Sequence, residues 1–247
     1  MLRLGKFSLT GDDEAHERED NKMMRKVITI DGPAGAGKST VSKAVAAKLQ
    51  YIYLDTGALY RALAYKALKN NINVRDADEL AKLCSTTEVA LKNLDGKLTV
   101  YVDGENIDNK IRTEEVGLGA STMSAFPVVR EKLLSLQREA GARGCIVAEG
   151  RDMGSVVFPE AEFKFFLDAN VEERIQRRHA EIVQKNGQAK RDAVTRSMQA
   201  RDQQDSQREI APLTAASDAI IIDSTFLDVS QVVEIILKRV SGSHEEG

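Results

Sequence analysis

The residues best suited to chemistry are Gly32, Pro33, Ala34, Gly35, Ala36, Gly37, Lys38, Ser39 and Thr40, consecutive in the chain. Their spacing, G-x-x-x-x-G-K-[ST], is that of a phosphate-binding loop. Glycine lets the backbone curl until several N–H groups converge on one anion. A helix beginning near Lys38 would add the positive end of its dipole. Lys38 is then expected to reach the β- and γ-phosphates of ATP, and Ser39 to help hold Mg²⁺. Two rival nucleotide-binding classes fail on residues. Asn109-Lys110-Ile111-Arg112 lacks the Asp of a guanine-reading motif, and no strand ends in the apolar-run-Asp-Glu of a motor ATPase.

A second constellation lies downstream. Asp55-Thr56-Gly57 is followed by Tyr60-Arg61, so Thr56 is placed to cap a helix and Arg61 to turn toward a ligand or toward solvent. Glu149-Gly150-Arg151-Asp152-Met153-Gly154 follows the apolar run Ile146-Val147-Ala148. Arg201, Asp205 and Arg208 are spaced i, i+4, i+7, one face of a helix, and Arg174, Arg177 and Arg178 share another. Seven of the 18 arginines fall between residues 170 and 209. Any one of them alone reads more readily as part of a charged solvent face. Beside a phosphate loop, the cluster points to closure over a developing charge, because phosphoryl transfer needs planar cationic donors there.

The elements that must carry these residues alternate. Short apolar runs at 27–30, 51–54, 146–148, 163–167 and 219–222 read as buried parallel strands. Helical periodicity marks 39–49, 58–68, 76–84, 114–125, 128–142, 171–185, 192–207 and 229–240, with a break at Pro127. Between them, 89–94, 97–102 and 105–107 alternate with period two around Asp95-Gly96 and Asp103-Gly104, a hairpin signature. Residues 85–110 are therefore expected to form a small antiparallel module inserted into an α/β core. Such cores bind ligands at the carboxyl ends of their strands, where the loop at 32–40 and the segment at 149–154 both fall.

Composition excludes several classes. The 247 residues carry 35 Lys+Arg against 38 Asp+Glu, a net charge of −3, which argues against a basic nucleic-acid coat. No apolar run approaches a membrane span, and Trp is absent. Cys84 and Cys145 stand far apart, without metal-ligand spacing, as suits a reducing cytoplasm. The polar residues 1–26 are expected to be a mobile leader and 241–247 a polar tail.

Taken together, Gly32 to Thr40, Asp55 to Arg61, Ile111-Arg112-Thr113, Ala125-Phe126-Pro127, Gly150 to Gly154, Arg201-Asp202-x-x-Asp205-x-x-Arg208, Ala211-Pro212-Leu213 and Asp223-Ser224-Thr225 resemble the bacterial-type cytidylate (CMP) kinases. The likeness spans about 27–240, in order; Ala200 stands where the family often has Glu. It implies an α/β, P-loop three-layer fold with a central parallel sheet flanked by helices, plus the inserted module and a helical lid at about 170–190. It implies transfer of the γ-phosphoryl group of ATP, with Mg²⁺, to CMP or dCMP by a cytoplasmic monomer without nucleic-acid or membrane partners. Carried over by position, Lys38, Arg174 and Arg178 would be catalytic, with Arg177 in the same lid. Arg61 and Arg130 would hold the acceptor phosphate, with Asp55, Thr56 and Tyr60 nearby. Ser121, Arg151 and Asp152 would read cytosine. Arg201 and Asp205 would touch the sugar, and Arg208 the phosphates. A uridylate or adenylate kinase, or a nucleotide-binding regulator without an acceptor, are the alternatives.

Overall fold

The computed structural model describes residues 26–242; the expected leader, apart from Lys26, and residues 243–247 lie outside them. Five strands form the parallel heart of one sheet: β1 (Val27–Asp31), β2 (Ile52–Asp55), β6 (Ile146–Glu149), β7 (Phe163–Asp168) and β8 (Ile220–Asp223). Their order is β2-β6-β1-β7-β8, with β1 at the centre between β6 and β7. Ile28, Ile30, Val147 and Phe165 are buried because helices cover both faces, which is why these strands read as unbroken apolar runs.

The segments β3 (Val89–Leu94), β4 (Lys97–Val102) and β5 (Glu105–Asn106) pair antiparallel with one another. They extend the main sheet through a parallel pairing of Tyr53 with Lys97. Asp95 and Asp103 adopt left-handed φ of 52° and 49° ahead of Gly96 and Gly104, the geometry the Asp-Gly turns require. The helices are α1 (Lys38–Leu49), α2 (Thr56–Lys69), α3 (Ala77–Thr86), α4 (Glu114–Met123), α5 (Pro127–Gly141), α6 (Val171–Asn186), α7 (Arg191–Gln207) and α8 (Val229–Ser241). Pro127 opens α5 at a position where the missing N–H costs nothing, and the helical break precedes it at Ser124–Phe126.

Two packed units position the site. α1 and α8 cover one part of the sheet through Val41, Val45, Val232 and Ile236. α2, α4 and α5 gather around Leu59, Leu63, Met123 and Leu133. Sequence periodicity misses one element, a π-helical turn at Met153–Val157. It is too short for any periodic signal, and Asp31 holds its start by accepting hydrogen bonds from the Met153 and Gly154 N–H groups at 2.9 and 2.8 Å.

Candidate active site

The loop between β1 and α1 has the shape its glycines permit. Gly32, Gly35 and Gly37 take φ of +144°, +77° and +91°, values L side chains rarely adopt. At Gly32 a Cβ would also lie 2.0 Å from the Leu167 carbonyl oxygen, so the strand exit admits no side chain. Lys38 is buried and donates to the Pro33 carbonyl at 2.6 Å. Burial, then the cation of Arg151, pulls its ammonium down to about 7, with Glu149 and Asp31 opposing.

Beside it, Glu149 at the end of β6 is buried. It accepts from the Ser39 hydroxyl at 2.9 Å and from the Tyr53 hydroxyl. Burial and neighbouring Asp55 push its carboxyl up. Asp31 is pushed up to about 6 by burial, against its two backbone donors. On the other flank, Asp55 accepts from the Ala58 N–H at 2.9 Å and pairs with Arg61 at 2.9 Å and Arg112 at 3.0 Å. Asp55, not Thr56, caps α2; the Thr56 hydroxyl donates to the Glu149 carbonyl at 2.6 Å, tying β2 to β6.

Lys38, Ser39, Asp55, Thr56, Arg61, Arg112 and Glu149 line one cavity of about 880 Å³, together with residues of the phosphate loop, α4 and α7. Two charge clusters divide its far side. Arg151 donates to Asp205 at 2.8 Å, and Ser121 to the same carboxylate at 3.2 Å. Burial would raise the Asp205 carboxyl, but Arg151 outweighs it and holds it low. The buried Nε of Arg201 has no hydrogen-bond partner among the described residues. Burial, then the neighbouring cation of Arg151, pulls the Arg201 guanidinium down to about 10; Asp205 opposes, and Arg61 and Arg178 push the same way as Arg151. The second cluster is Asp152 with Arg130, its ion-pair partner, and Arg208 at 3.6 Å. Arg208 also donates to the Ser124 hydroxyl at 3.1 Å and to the Ala211 carbonyl at 2.5 Å. The Tyr60 ring lies 5.9 Å from the Arg130 guanidinium.

The chain's match to the cytidylate kinase family model runs over residues 28–242. The chain belongs to the cytidylate kinase family. Curated cytidylate kinases from Caldicellulosiruptor bescii, Citrifermentans bemidjiense and Shigella sonnei are 44%, 45% and 45% identical to it. The alignments cover 87%, 90% and 86% of this chain and 96%, 95% and 93% of those proteins.

For a cytidylate kinase family member, the structure gathers most of the expected residues and regroups some. Ala34 to Thr40, Asp55, Thr56, Tyr60, Arg61, Ser121, Arg151, Asp152, Arg178, Arg201, Asp205 and Arg208 all line the cavity, whereas Gly32, Pro33, Arg130 and Arg174 do not. Arg174, expected as a catalytic lid arginine, is buried under the phosphate loop and bonded there to the Ala34 carbonyl. Arg130, expected beside Arg61 at a phosphate, is paired with Asp152 instead. Arg208 shares that end, and Arg151 faces the phosphate loop. Arg177 and Arg178 do line the cavity; Arg177 donates to the Ser224 carbonyl at 2.7 Å and Arg178 to Glu181 at 2.7 Å and to Glu114. Glu149 and Arg112 fall inside the segments Glu149 to Gly154 and Ile111-Arg112-Thr113 without being given a site role by the sequence, and Tyr53 is read only as part of a strand. The acid that closes the apolar run Ile146-Val147-Ala148 is the signal that points to Glu149.

Proposed function

We propose that this protein transfers the γ-phosphoryl group of ATP to CMP or dCMP, giving ADP and CDP or dCDP. The observation that carries the reading is Arg201: a half-buried guanidinium whose Nε has no hydrogen-bond partner among the described residues, crowded by Arg151, Arg61 and Arg178 with only Asp205 opposing them, in the cavity that the phosphate loop also lines. Such a cluster is electrostatically uphill until anions enter from both sides. In this reading Arg61, Arg151 and Arg201 take the acceptor phosphate, and the loop N–H groups with Lys38 take the donor. An acceptor phosphate oxygen attacks the γ-phosphorus in line as the bond to the ADP oxygen breaks, through a loose transition state. No strong general base is needed, because the acceptor is already anionic. Arg177 and Arg178, on the proposed lid at about 170–190, close over the transferring group and exclude water.

Ser39 and Glu149 fit Mg²⁺: two hard oxygen donors, 2.9 Å apart, one of them a carboxylate at the edge of the phosphate loop. Bound there, the ion would supply positive charge that offsets the negative charge of the phosphates during transfer. At the far end Asp152 would accept from the cytosine N4 amino group, with Arg130 and Arg208 holding its carboxylate in place. Uracil presents a carbonyl at that position and would face Asp152 repelled. We read the protein as a cytoplasmic monomer acting on small molecules. Both cysteines are free, as suits a reducing compartment, and among the described residues no helix is long and apolar enough to cross a membrane.

The test is MgATP with CMP, dCMP, UMP, AMP or GMP, following ADP. CMP is expected to exceed UMP by about 100-fold or more in kcat/KM. A preference for UMP or AMP overturns the base assignment, and ADP formation independent of any acceptor overturns the kinase reading in favour of a nucleotide-binding regulator.

A further inference from the structure

Ala34, in the phosphate loop, has both of its backbone polar groups taken by side chains from other elements. Its N–H donates to Asp202 of α7 at 3.3 Å, and its carbonyl accepts from Arg174 of α6 at 2.9 Å. The two side chains are paired with each other, and Arg174 is fixed further by donating to the Ala169 carbonyl at 3.1 Å. Apolar packing backs the same contact: Ala34 is buried with Ile175, Val194 and Met198. The approach is close, since a Cβ on Gly35 would meet the Arg174 carbonyl oxygen at 2.7 Å and the Met198 methyl at 2.8 Å.

We infer that Arg174 and Asp202 form a clamp on Ala34 that holds the phosphate loop in its donor-binding shape, both acting as positioning residues. The reason lies in the planar trans peptide, whose C=O and N–H point in opposite directions. With the Ala34 carbonyl turned out to Arg174, the Gly35 N–H must turn inward, to the side where Gly35 lines the cavity. With the Ala34 N–H turned out to Asp202, the Pro33 carbonyl must turn the other way, and there Lys38 donates to it at 2.6 Å. One ion pair thus sets two successive peptide planes and the anchor of the loop lysine. Charge-assisted bonds of this kind hold a geometry more tightly than neutral ones.

The inference rests on the proposed kinase reading for which nucleotide the loop binds, and its test separates the two. Asp202→Ala and Asp202→Asn are compared with the wild type by calorimetry of ADP binding in EDTA, by KM for ATP and for CMP, and by thermal melting. For Asp202→Ala, ADP binding is expected to weaken about tenfold and KM for ATP to rise by a similar factor. KM for CMP is expected to stay within about twofold, because Arg201 and Asp205 keep their places on α7. Asp202→Asn, which keeps an acceptor for the Ala34 N–H, is expected to fall between and is the deciding variant if Asp202→Ala does not fold. Arg174→Lys, with no fork to span two acceptors, should share the ATP-selective defect. Unchanged ADP affinity in both Asp202 variants overturns the clamp. So does a parallel loss of ADP binding, CMP use and melting temperature, which would mark general destabilisation of α7. A wild type that binds ADP but fails on CMP, with ADP binding still weakened in Asp202→Ala, leaves the clamp standing and overturns the acceptor assignment.

Discussion

Asp152 shows how little of a side chain's role is set by its own chemistry. It is buried, its carboxylate shared between Arg130 and Arg208, and that fork fixes which lone pairs remain for a base. Replacing Asp152 by Ala removes the acceptor and leaves the two guanidiniums without the carboxylate between them. The expected outcome is a fall of about 100-fold in kcat/KM for CMP, with the CMP-to-UMP preference shrinking to within about tenfold. Steady-state kinetics with both acceptors checks this; an undiminished preference would remove Asp152 from base reading. Lys38 makes the same point with opposite sign. Its ammonium is pulled down by burial and by Arg151, against Glu149 and Asp31, so its titration is set by neighbours rather than by its own chemistry.

Elements deliver these side chains through their ends. β1, β2 and β6 each end on an acid, Asp31, Asp55 and Glu149, and all three acids are buried. Their structural roles differ. Asp31 holds the π-helical turn, Asp55 caps α2, and Glu149 gathers Ser39 and Tyr53. Caps away from the cavity serve stability alone. Asp76 caps α3 by accepting from the Asp78 and Glu79 N–H groups, both at 3.0 Å. Asp76→Ala is expected to cost about 1 kcal/mol, a fall of about 2–4 °C in melting temperature, with kcat and both KM values unchanged. Calorimetry and kinetics on the same preparation check both halves, and a shift in KM would show that α3 reaches the site.

At the scale of the molecule, Asp55 joins three segments: the end of β2, Arg61 on α2, and Arg112 ahead of α4. Burial alone would raise its carboxyl. Arg61 and Arg112 outweigh burial and hold it at about 2, against an ordinary 3.8. A depressed carboxyl contributes stability that is fully present above the unfolded value and is lost as pH falls from about 4 toward 2. Asp55→Asn is therefore expected to cost about 2 kcal/mol at pH 7. Its difference from the wild type should shrink across that acid window, as urea unfolding at pH 7, 4 and 3 would show. A difference independent of pH would mean that Asp55 acts as a helix cap and not through its charge.

Residue order alone was enough to define the phosphate loop, the strand–helix alternation and the antiparallel segments at 89–107. Glycine conformations, apolar period and Asp-Gly turns are local properties, written in neighbouring residues. The family resemblance also pointed to Asp55, Thr56, Tyr60, Arg61, Ser121, Arg130, Arg151, Asp152, Arg201, Asp205 and Arg208 as one group, and all but Arg130 line the cavity. Which charge meets which was left to packing in three dimensions. Arg174 turned under the phosphate loop and Arg130 turned to Asp152, and Glu149 emerged between Ser39 and Tyr53. Spacing along a chain fixes the face a side chain leaves from. Its partner is fixed by burial, which forces enclosed polar groups to find partners across elements as far apart in sequence as residues 34 and 202.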